Sequence, residues 1–165
     1  MRNLTEQEFD IKYQMYKDLI YNIAYTYVHN SEDATDISQE VFIKYLQNEI
    51  EFETDDNEKY WLIRVTINIS KNVVTSSWKK KTILDEELVN RKEEDNASYD
   101  IEKEKYYNVI TNLALKYREP IVLFYYENLK IEEIANVLKV SISCVKKRLE
   151  RGREKIKEEI QKWKN

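Results

Sequence analysis

Glycine and proline are almost absent from this chain of 165 residues, each occurring once, as Gly152 and Pro120. An average protein contains about 7% glycine and 5% proline, and folds rich in strands need both at their tight turns. The chain is 35% charged and 42% hydrophobic, which suits helices with one wet face and a modest core. The sequence therefore predicts an all-α fold with long helices.

Three helices are predicted in the first half of the chain. Apolar residues at three- and four-residue steps predict a helix over 9–27 and a second helix that Ser31 caps and that runs to about Leu46. A polar, acidic loop over 49–57 precedes a third helix from about Glu58 to Trp78. These helices predict a first small domain over residues 1–80.

The second half begins with a change of composition. Residues 81–105 are dominated by charged side chains and asparagine, and they predict a charged linker, helical in part. Residues 106–165 predict a second helical domain, in which a helix after Arg118 carries Pro120 in its first turn.

This second domain ends with a short amphipathic helix over 131–138, a brief break at Val140 and Ser141, and a long helix from Ile142 to about Lys162. A short helix, a tight turn and a longer basic helix are typical of a helix-turn-helix unit. A basic solvated face on an ordinary bundle helix would produce the same charge pattern.

The net charge of −4 is distributed in blocks. Residues 1–75 have a balance of −7, whereas Lys79, Lys80 and Lys81 form a basic run without an acid nearby. Residues 85–105 return to −5, and residues 106–165 carry +5. The basic blocks indicate contacts with an anionic partner such as nucleic acid, despite the acidic total.

Two polar stripes lie on the predicted helices of the first domain. Asp33, Asp36 and Glu40 share one face of the second helix, with Gln39 at its border, and a basic protein partner would offset their mutual repulsion. Arg64, Asn68, Lys71 and Thr75 lie within a stripe about 60° wide on the third helix, which suits a DNA backbone. Each stripe could also be a plain solvated face. The two tryptophans at the ends of the third helix, Trp61 and Trp78, either pack near exposed bases or belong to the core.

Three segments together resemble the extracytoplasmic-function sigma factors of bacteria, in the right order and over nearly the whole chain. They are DATDISQEVFIKYL over residues 33–46, WLIRVTINISKNVV over 61–74, and NLALKYREPIVLFYYENLKIEEIANVLKVSISCVKKRLERGREKI over 112–156. The resemblance implies a sigma domain 2 and a sigma domain 4, joined by a linker that is threaded through the polymerase channels.

The resemblance also implies partners and sites. The partners are core RNA polymerase, through the clamp helices of its largest subunit and the flap of its second-largest subunit, promoter DNA, and an anti-sigma factor of the kind that is common in the family. The residues that match polymerase-binding positions are Asp33, Asp36, Gln39 and Glu40. The residues expected to bind the minus-ten element are Arg64, Asn68, Lys71 and Asn72, together with the lysine run at Lys79, Lys80 and Lys81. The loop over 49–60 would hold a flipped base of that element. The residues expected at the minus-thirty-five element are Ser141, Ser143, Lys146, Lys147, Arg148, Glu150 and Arg151.

The chain departs from the family pattern at a few positions. Lys139 stands where a helix-turn-helix glycine is usual, so a residue with a Cβ is expected at positive φ, at a cost of about 1 kcal/mol. Ala114 and Lys130 stand where a proline and a serine cap are usual. These departures leave the apolar pattern intact, but they put the promoter sequence and the stability of the second domain in question.

Other function classes are weighed against this one. A free-standing helix-turn-helix regulator would dimerise on paired half-sites, and no leucine-rich seam stands out. An enzyme is not expected, because the sequence has no glycine-rich phosphate loop, metal cluster or nucleophile–base pair, and no cofactor is expected. Cys144 is interpreted as a half-buried helix residue rather than a redox switch, and His29 as a helix-end residue. Without an apolar run near the roughly 20 residues of a membrane helix, we expect a cytoplasmic protein that does not insert into a membrane.

Overall fold

The computed structural model describes residues 4–78 and 101–164, and within these ranges every regular element is an α-helix. The helices separate into two compact units, one formed by the first three helices and the other by the remaining four. The predicted all-α fold is confirmed. The domain boundaries at residues 80 and 105 stay predictions, since most of the segment between them lies outside the described residues.

The first unit is a three-helix bundle of α1 (Glu6–Val28), α2 (Ser31–Gln47) and α3 (Asp55–Trp78). Each helix packs against the other two. The core comprises the apolar stripes of the three helices, including Ile20, Ala24, Ile37, Val41 and Leu62. Burial of such side chains from water is the main force that holds amphipathic helices together.

Two helix starts in this unit differ from prediction. The N-cap of α2 is Asn30 and not Ser31, because Asn30 has the extended backbone of a cap and its side-chain oxygen accepts a hydrogen bond from Asp33 N at 2.8 Å. Helix α3 begins at Asp55 rather than about Glu58, since the Thr54 hydroxyl accepts from Asn57 N at 3.1 Å. His29 ends α1 with a left-handed backbone (φ 58°), as expected of a helix-end residue.

The second unit contains α4 (Ile101–Thr111), α5 (Leu115–Tyr125), α6 (Ile131–Leu138) and α7 (Ile142–Lys162). Helix α4 begins within the segment predicted as linker. Helices α6 and α7 adopt the predicted helix-turn-helix, and both pack against α5.

The prediction for Pro120 was wrong. Helix α5 begins at Leu115, with Tyr117 N and Arg118 N both donating to the Ala114 carbonyl, and Pro120 lies inside the helix. A proline here leaves one carbonyl without its helical donor. Burial of Pro120 itself and of Ile121 offsets this cost.

The turn between α6 and α7 has the conformation that the sequence predicts. Lys139 has φ 57°, in the left-handed region, and its N–H bonds to the Ala135 carbonyl. Ser141 then caps α7 by accepting from Cys144 N at 3.1 Å. Gly152, further along α7, is buried so close to α5 that a Cβ there would lie 2.9 Å from Ile121 Cγ1. The single glycine is therefore required by helix packing and not by a turn.

Candidate polymerase and nucleic-acid interfaces

An acidic ridge, defined as Asp36, Gln39 and Glu40, lies exposed on the outer face of α2. Within the described part of the chain, these three side chains form no hydrogen bond or ion pair with a neighbour. The ridge therefore presents two carboxylates and an amide to solvent, in a form that a basic partner could bind.

Asp33 is not part of the ridge, because its side chain is half-buried and hydrogen-bonded. Its carboxylate accepts from Asn30 Nδ2 at 2.8 Å while its N–H donates to the Asn30 side chain, and it is half-buried. These reciprocal bonds stabilise the start of α2. Asp33 thus has a structural role that the sequence pattern did not indicate.

Ile43 continues the ridge along α2 and was not selected from the sequence. It is 52% exposed, and its spacing of three from Glu40 and four from Gln39 places it on the same face. That spacing is the signal that could have identified it. An exposed isoleucine next to carboxylates has the mixed character of a protein–protein interface.

The outer face of α3 is polar and cationic, as predicted. Asn68, Lys71, Asn72 and Thr75 are exposed, whereas Arg64 is half-buried. The Thr75 hydroxyl donates to the Lys71 carbonyl at 2.8 Å. Lys79, Lys80 and Lys81, which would extend this face, lie outside the described residues.

The loop before α3 is shorter than predicted, and hydrogen bonds hold it at Asn48 and at Thr54. Residues 55–60, expected in the base-holding loop, are helical, so the loop covers 48–54. Asn48 Nδ2 donates to the Tyr45 carbonyl at 2.6 Å, and Ile50 N donates to Asn48 Oδ1 at 2.9 Å. The Phe52 ring lies 5.8 Å from the ring of Trp61.

Trp61 is half-buried, and its ring also lies 6.4 Å from that of Tyr45. Of the two readings for this tryptophan, these contacts favour a packing role beneath the loop. The side chain of Trp78 lies outside the described residues.

A buried polar cluster joins the three helices of the first unit. Glu58 Oε1 lies 2.8 Å from Lys12 Nζ, and Glu58 Oε2 accepts from the Tyr45 hydroxyl at 2.9 Å. The hydrogen bond to Glu58, opposed by burial and aided by the charge of Glu58, raises the pKa of Lys12. Burial and then the Glu58 charge raise the pKa of the Tyr16 phenol. The three linked residues are far apart in the chain, so no local pattern indicated this cluster.

The recognition surface of α7 has an apolar back and a polar front. Val145 and Leu149 are buried against the preceding helices, whereas Ile142, expected with them, is 44% exposed at the first turn of α7. Arg148 is half-buried, and Cys144 is half-buried as expected. The exposed members of the predicted site are Ser141, Ser143, Lys146, Lys147, Glu150 and Arg151.

Arg151 has a second contact that the sequence did not indicate. A hydrogen bond from Arg151 lowers the pKa of the Tyr117 phenol on α5. This effect outweighs burial, which raises the pKa, and the charge of Lys116 lowers it further. Arg151 is therefore turned toward α5 at the edge of the recognition surface.

Comparison with known families assigns both units. Residues 13–80 match the family described as Sigma-70 region 2, and residues 103–156 match Sigma-70, region 4. Together these matches contain the acidic ridge, the α3 face and the helix-turn-helix. The chain is a member of the extracytoplasmic-function (ECF) sigma factors. Sigma factors direct transcription initiation, and their domains bind core RNA polymerase and promoter DNA.

Relatives of this sigma factor align along most of its length. It is 28% identical to the ECF RNA polymerase sigma factor SigW of Bacillus subtilis, over 88% of this chain and 85% of SigW. It is also 28% identical to the RNA polymerase sigma-H factor of Pseudomonas aeruginosa, over 94% and 88% of the two chains.

Solved structures share the fold of this sigma factor. The sigma factor RpoE of Bartonella quintana, crystallised with the anti-sigma factor NepR, superposes with a TM-score of 0.71 at 17% identity over 94% of this chain and 98% of RpoE. CnrH, in complex with the cytosolic domain of CnrY, gives 0.70 at 17% identity over 95% and 90%. Among the described residues, no helix is long and apolar enough to cross a membrane, and no three His, Cys, Asp or Glu side chains are grouped to hold a metal ion.

Proposed function

We propose that the sigma factor divides its contacts among three surfaces. The acidic ridge on α2 binds the clamp helices of the largest polymerase subunit, the α3 face binds the minus-ten element, and α7 reads the minus-thirty-five element. The proposed domains are residues 1–80 and 106–165, with 81–105 as the linker between them. The second unit also meets the flap of the second-largest subunit. The protein acts in the cytoplasm, has no enzymatic activity of its own, and is open to control by an anti-sigma factor.

The observation that carries the proposal is the exposure of opposite charges on different helices. Carboxylates are solvent-facing on α2 of the first unit, and lysines are solvent-facing on α3 and α7. The carboxylates cannot face DNA phosphates at close range without repulsion. A protein surface rich in cations is therefore the partner that fits the ridge.

The charge balance also explains why the chain would need polymerase to find promoters. A balance of −7 over residues 1–75 repels the DNA backbone, and the affinity of nucleic-acid binding depends on the phosphates neutralised. Polymerase bound to the ridge would cover part of that charge. We expect the isolated chain to bind duplex weakly and the holoenzyme to bind promoters specifically.

At the minus-ten element, Asn68, Lys71 and Asn72 would contact the strand, with Arg64 at the edge of this face. Lysines can bind phosphates, while asparagine side chains can both donate to and accept from bases. The hydrogen-bonded loop over 48–54 would hold the flipped base. At the minus-thirty-five element, Lys146, Lys147, Arg148 and Glu150 would lie in the major groove, with Ser141 and Ser143 near a phosphate at the start of α7.

The first experiment reverses the charge of the ridge. Asp36→Lys with Glu40→Lys should weaken binding to core polymerase at least about 100-fold, because like charges placed together at an interface cost several kcal/mol. Asp18→Lys, an exposed carboxylate on α1 outside the ridge, is the matched control. Binding is measured by titration of labelled sigma factor with core enzyme, and initiation by in vitro transcription on a genomic fragment library with mapping of start sites.

The outcomes separate the hypotheses. If the double reversal still directs specific initiation, the clamp assignment is wrong. If the wild-type chain forms a stable dimer on gel filtration and never binds core polymerase, a free-standing helix-turn-helix regulator is the better reading. Lys147→Ala should weaken use of the upstream promoter element while leaving polymerase binding intact.

A further inference from the structure

Three cationic side chains converge on one tyrosine beside the recognition surface. Tyr117, on α5, is buried, with 8% of its surface exposed. Lys116 Nζ lies 5.0 Å and Lys155 Nζ 5.5 Å from the centroid of its ring, and Arg151 hydrogen-bonds to its hydroxyl. We call Lys116, Tyr117, Arg151 and Lys155 the Tyr117 cluster.

The positive charge of this cluster is not neutralised by the described part of the protein. Lys116, Arg151 and Lys155 are all exposed, and within residues 4–78 and 101–164 no carboxylate forms an ion pair with any of them. The π face of the ring attracts two of the ammonium groups and so holds them in place. Attraction to a neutral ring brings the cations together without cancelling their charge.

The hydroxyl of Tyr117 adds a directed donor to these charges. It accepts from Arg151 and from Lys116, and its own O–H can donate. The cationic neighbours lower the pKa of this phenol, and a more acidic O–H donates a stronger hydrogen bond. Two ammonium groups, a guanidinium and an O–H around one ring are suited to a tetrahedral anion with several acceptor oxygens.

The position of the cluster on α7 indicates which anion it binds. Lys147, Arg151 and Lys155 are spaced by four residues, so they follow one another along one face of the helix. Arg151 belongs both to this row and to the predicted recognition surface. A DNA strand contacted by Lys147 would continue toward Lys155 and α5.

We propose that the Tyr117 cluster is a phosphate-binding site that holds one phosphodiester of the DNA strand flanking the bases read by α7. This inference rests on the proposed DNA-binding function of the second unit. It changes the role of Arg151 from base reading to phosphate binding. The site orients α7 in the groove and contributes affinity that does not depend on sequence.

The test uses the full-length chain and labelled DNA duplexes of arbitrary sequence, with fluorescence anisotropy over about 50 to 200 mM salt. Lys116→Gln and Lys155→Gln should each weaken binding several-fold. The double variant should reduce the slope of log K against log salt by about 0.9, the value for one phosphate. Tyr117→Phe should weaken binding a few-fold without changing that slope, because it removes a neutral donor.

Lys157→Gln is the matched control, since it removes the same charge from an exposed position on another face of the same helix. It should change the slope by much less than the double variant. Far-UV circular dichroism melts of every variant confirm that the fold is retained. A double variant with the slope of the control overturns the site, as does a wild-type chain that fails to bind any duplex at the lowest salt.

Two further readouts identify the occupant and separate this inference from the proposed function. If polyglutamate displaces labelled duplex as well as unlabelled duplex does, the site binds an acidic protein and the DNA assignment is wrong. Titration with core polymerase should be unchanged for Lys116→Gln and Lys155→Gln. If the wild-type chain does not bind core polymerase, the proposed function is contradicted. If it binds core polymerase but the double variant keeps the salt slope of the control, only the Tyr117 cluster is contradicted.

Discussion

The ion pair between Lys12 and Glu58 gives the sharpest test of how the first unit is held together. The Glu58 side chain is 7% exposed and that of Lys12 is 25% exposed. The substitution Lys12→Met keeps the apolar stem and removes the charge, so the Glu58 carboxylate stays buried beside the hydroxyls of Tyr45 and Tyr16 but without its cation. Removing one member of a buried pair costs about 3 to 5 kcal/mol. Because Lys12 is partly solvated, we expect the lower value, about 3 kcal/mol.

The reciprocal substitution should cost less. Glu58→Gln keeps the shape of the side chain, and its amide oxygen can still accept from Tyr45. Lys12 is then free to turn toward water or toward Asp55, whose Oδ1 is 3.7 Å from Nζ. We expect a loss of about 1 kcal/mol. The double variant leaves no buried charge and should be more stable than Lys12→Met alone.

The effect is large for a bundle of this size. In a domain of 60–100 residues, 1 kcal/mol shifts Tm by about 4–8 °C, so Lys12→Met should lower the Tm of the first unit by at least about 12 °C. A Trp163→Phe background leaves Trp61 and Trp78, both on α3, as the fluorescent probes. Urea and thermal unfolding followed by their emission then report on the first unit. If Glu58→Gln lowers the stability as much as Lys12→Met does, the explanation that Lys12→Met leaves a buried carboxylate without its cation is refuted.

The same cluster predicts a loss of stability at alkaline pH. The pKa of Lys12 is raised above 10.5 and that of Tyr16 above 10.0 in the folded chain. A raised pKa means that the folded state holds its proton more tightly than the unfolded state. This contribution is complete below those values and is lost as pH rises through the folded pKa. Urea unfolding above about pH 10 should therefore show a smaller decline for Lys12→Met than for the wild type.

Two further substitutions test the second unit. Gly152→Ala should destabilise it by about 1 kcal/mol, because overpacking against Ile121 exceeds the gain in helix propensity. Ile121→Val shortens the opposing side chain, and combining it with Gly152→Ala should recover part of the lost stability. Unfolding curves followed by circular dichroism measure both effects. Lys139→Gly should stabilise the same unit by about 1 kcal/mol by relieving the left-handed backbone at φ 57°, and a midpoint that does not rise in urea would contradict this explanation.

Periodicity identified the helices and much of the core from sequence alone. The apolar steps from Phe9 to Tyr27 predicted α1, and those of α7 predicted its buried Val145 and Leu149. These predictions succeeded because a helix repeats every 3.6 residues and one apolar stripe must face a core. The positive φ of Lys139 was predicted differently, from the family resemblance, because Lys139 stands where a helix-turn-helix glycine is usual.

The errors occurred where two local signals competed. Asn30 and Ser31 are both good caps, and the choice depended on which backbone was extended when α1 ended at His29. Pro120 signalled a helix start, but the packing of α5 extended the helix back to Leu115. Local propensity is a weak guide when burial on either side of a residue favours another boundary.

The sequence by itself determined that this chain is helical, that it carries separate acidic and basic surfaces, and most of the exposed residues of the ridge, the α3 face and α7, although Asp33, Arg64 and Arg148 are half-buried and Ile43 was missed. Only the tertiary structure decided that Lys12, Tyr45 and Glu58 meet inside the first unit, that Gly152 must lack a Cβ, and that cations gather around Tyr117. Helix periodicity is a property of neighbours along the chain, and it can be read from them. Contacts between residues on different helices depend on how those helices are rotated and spaced, which the packing of the complete core sets.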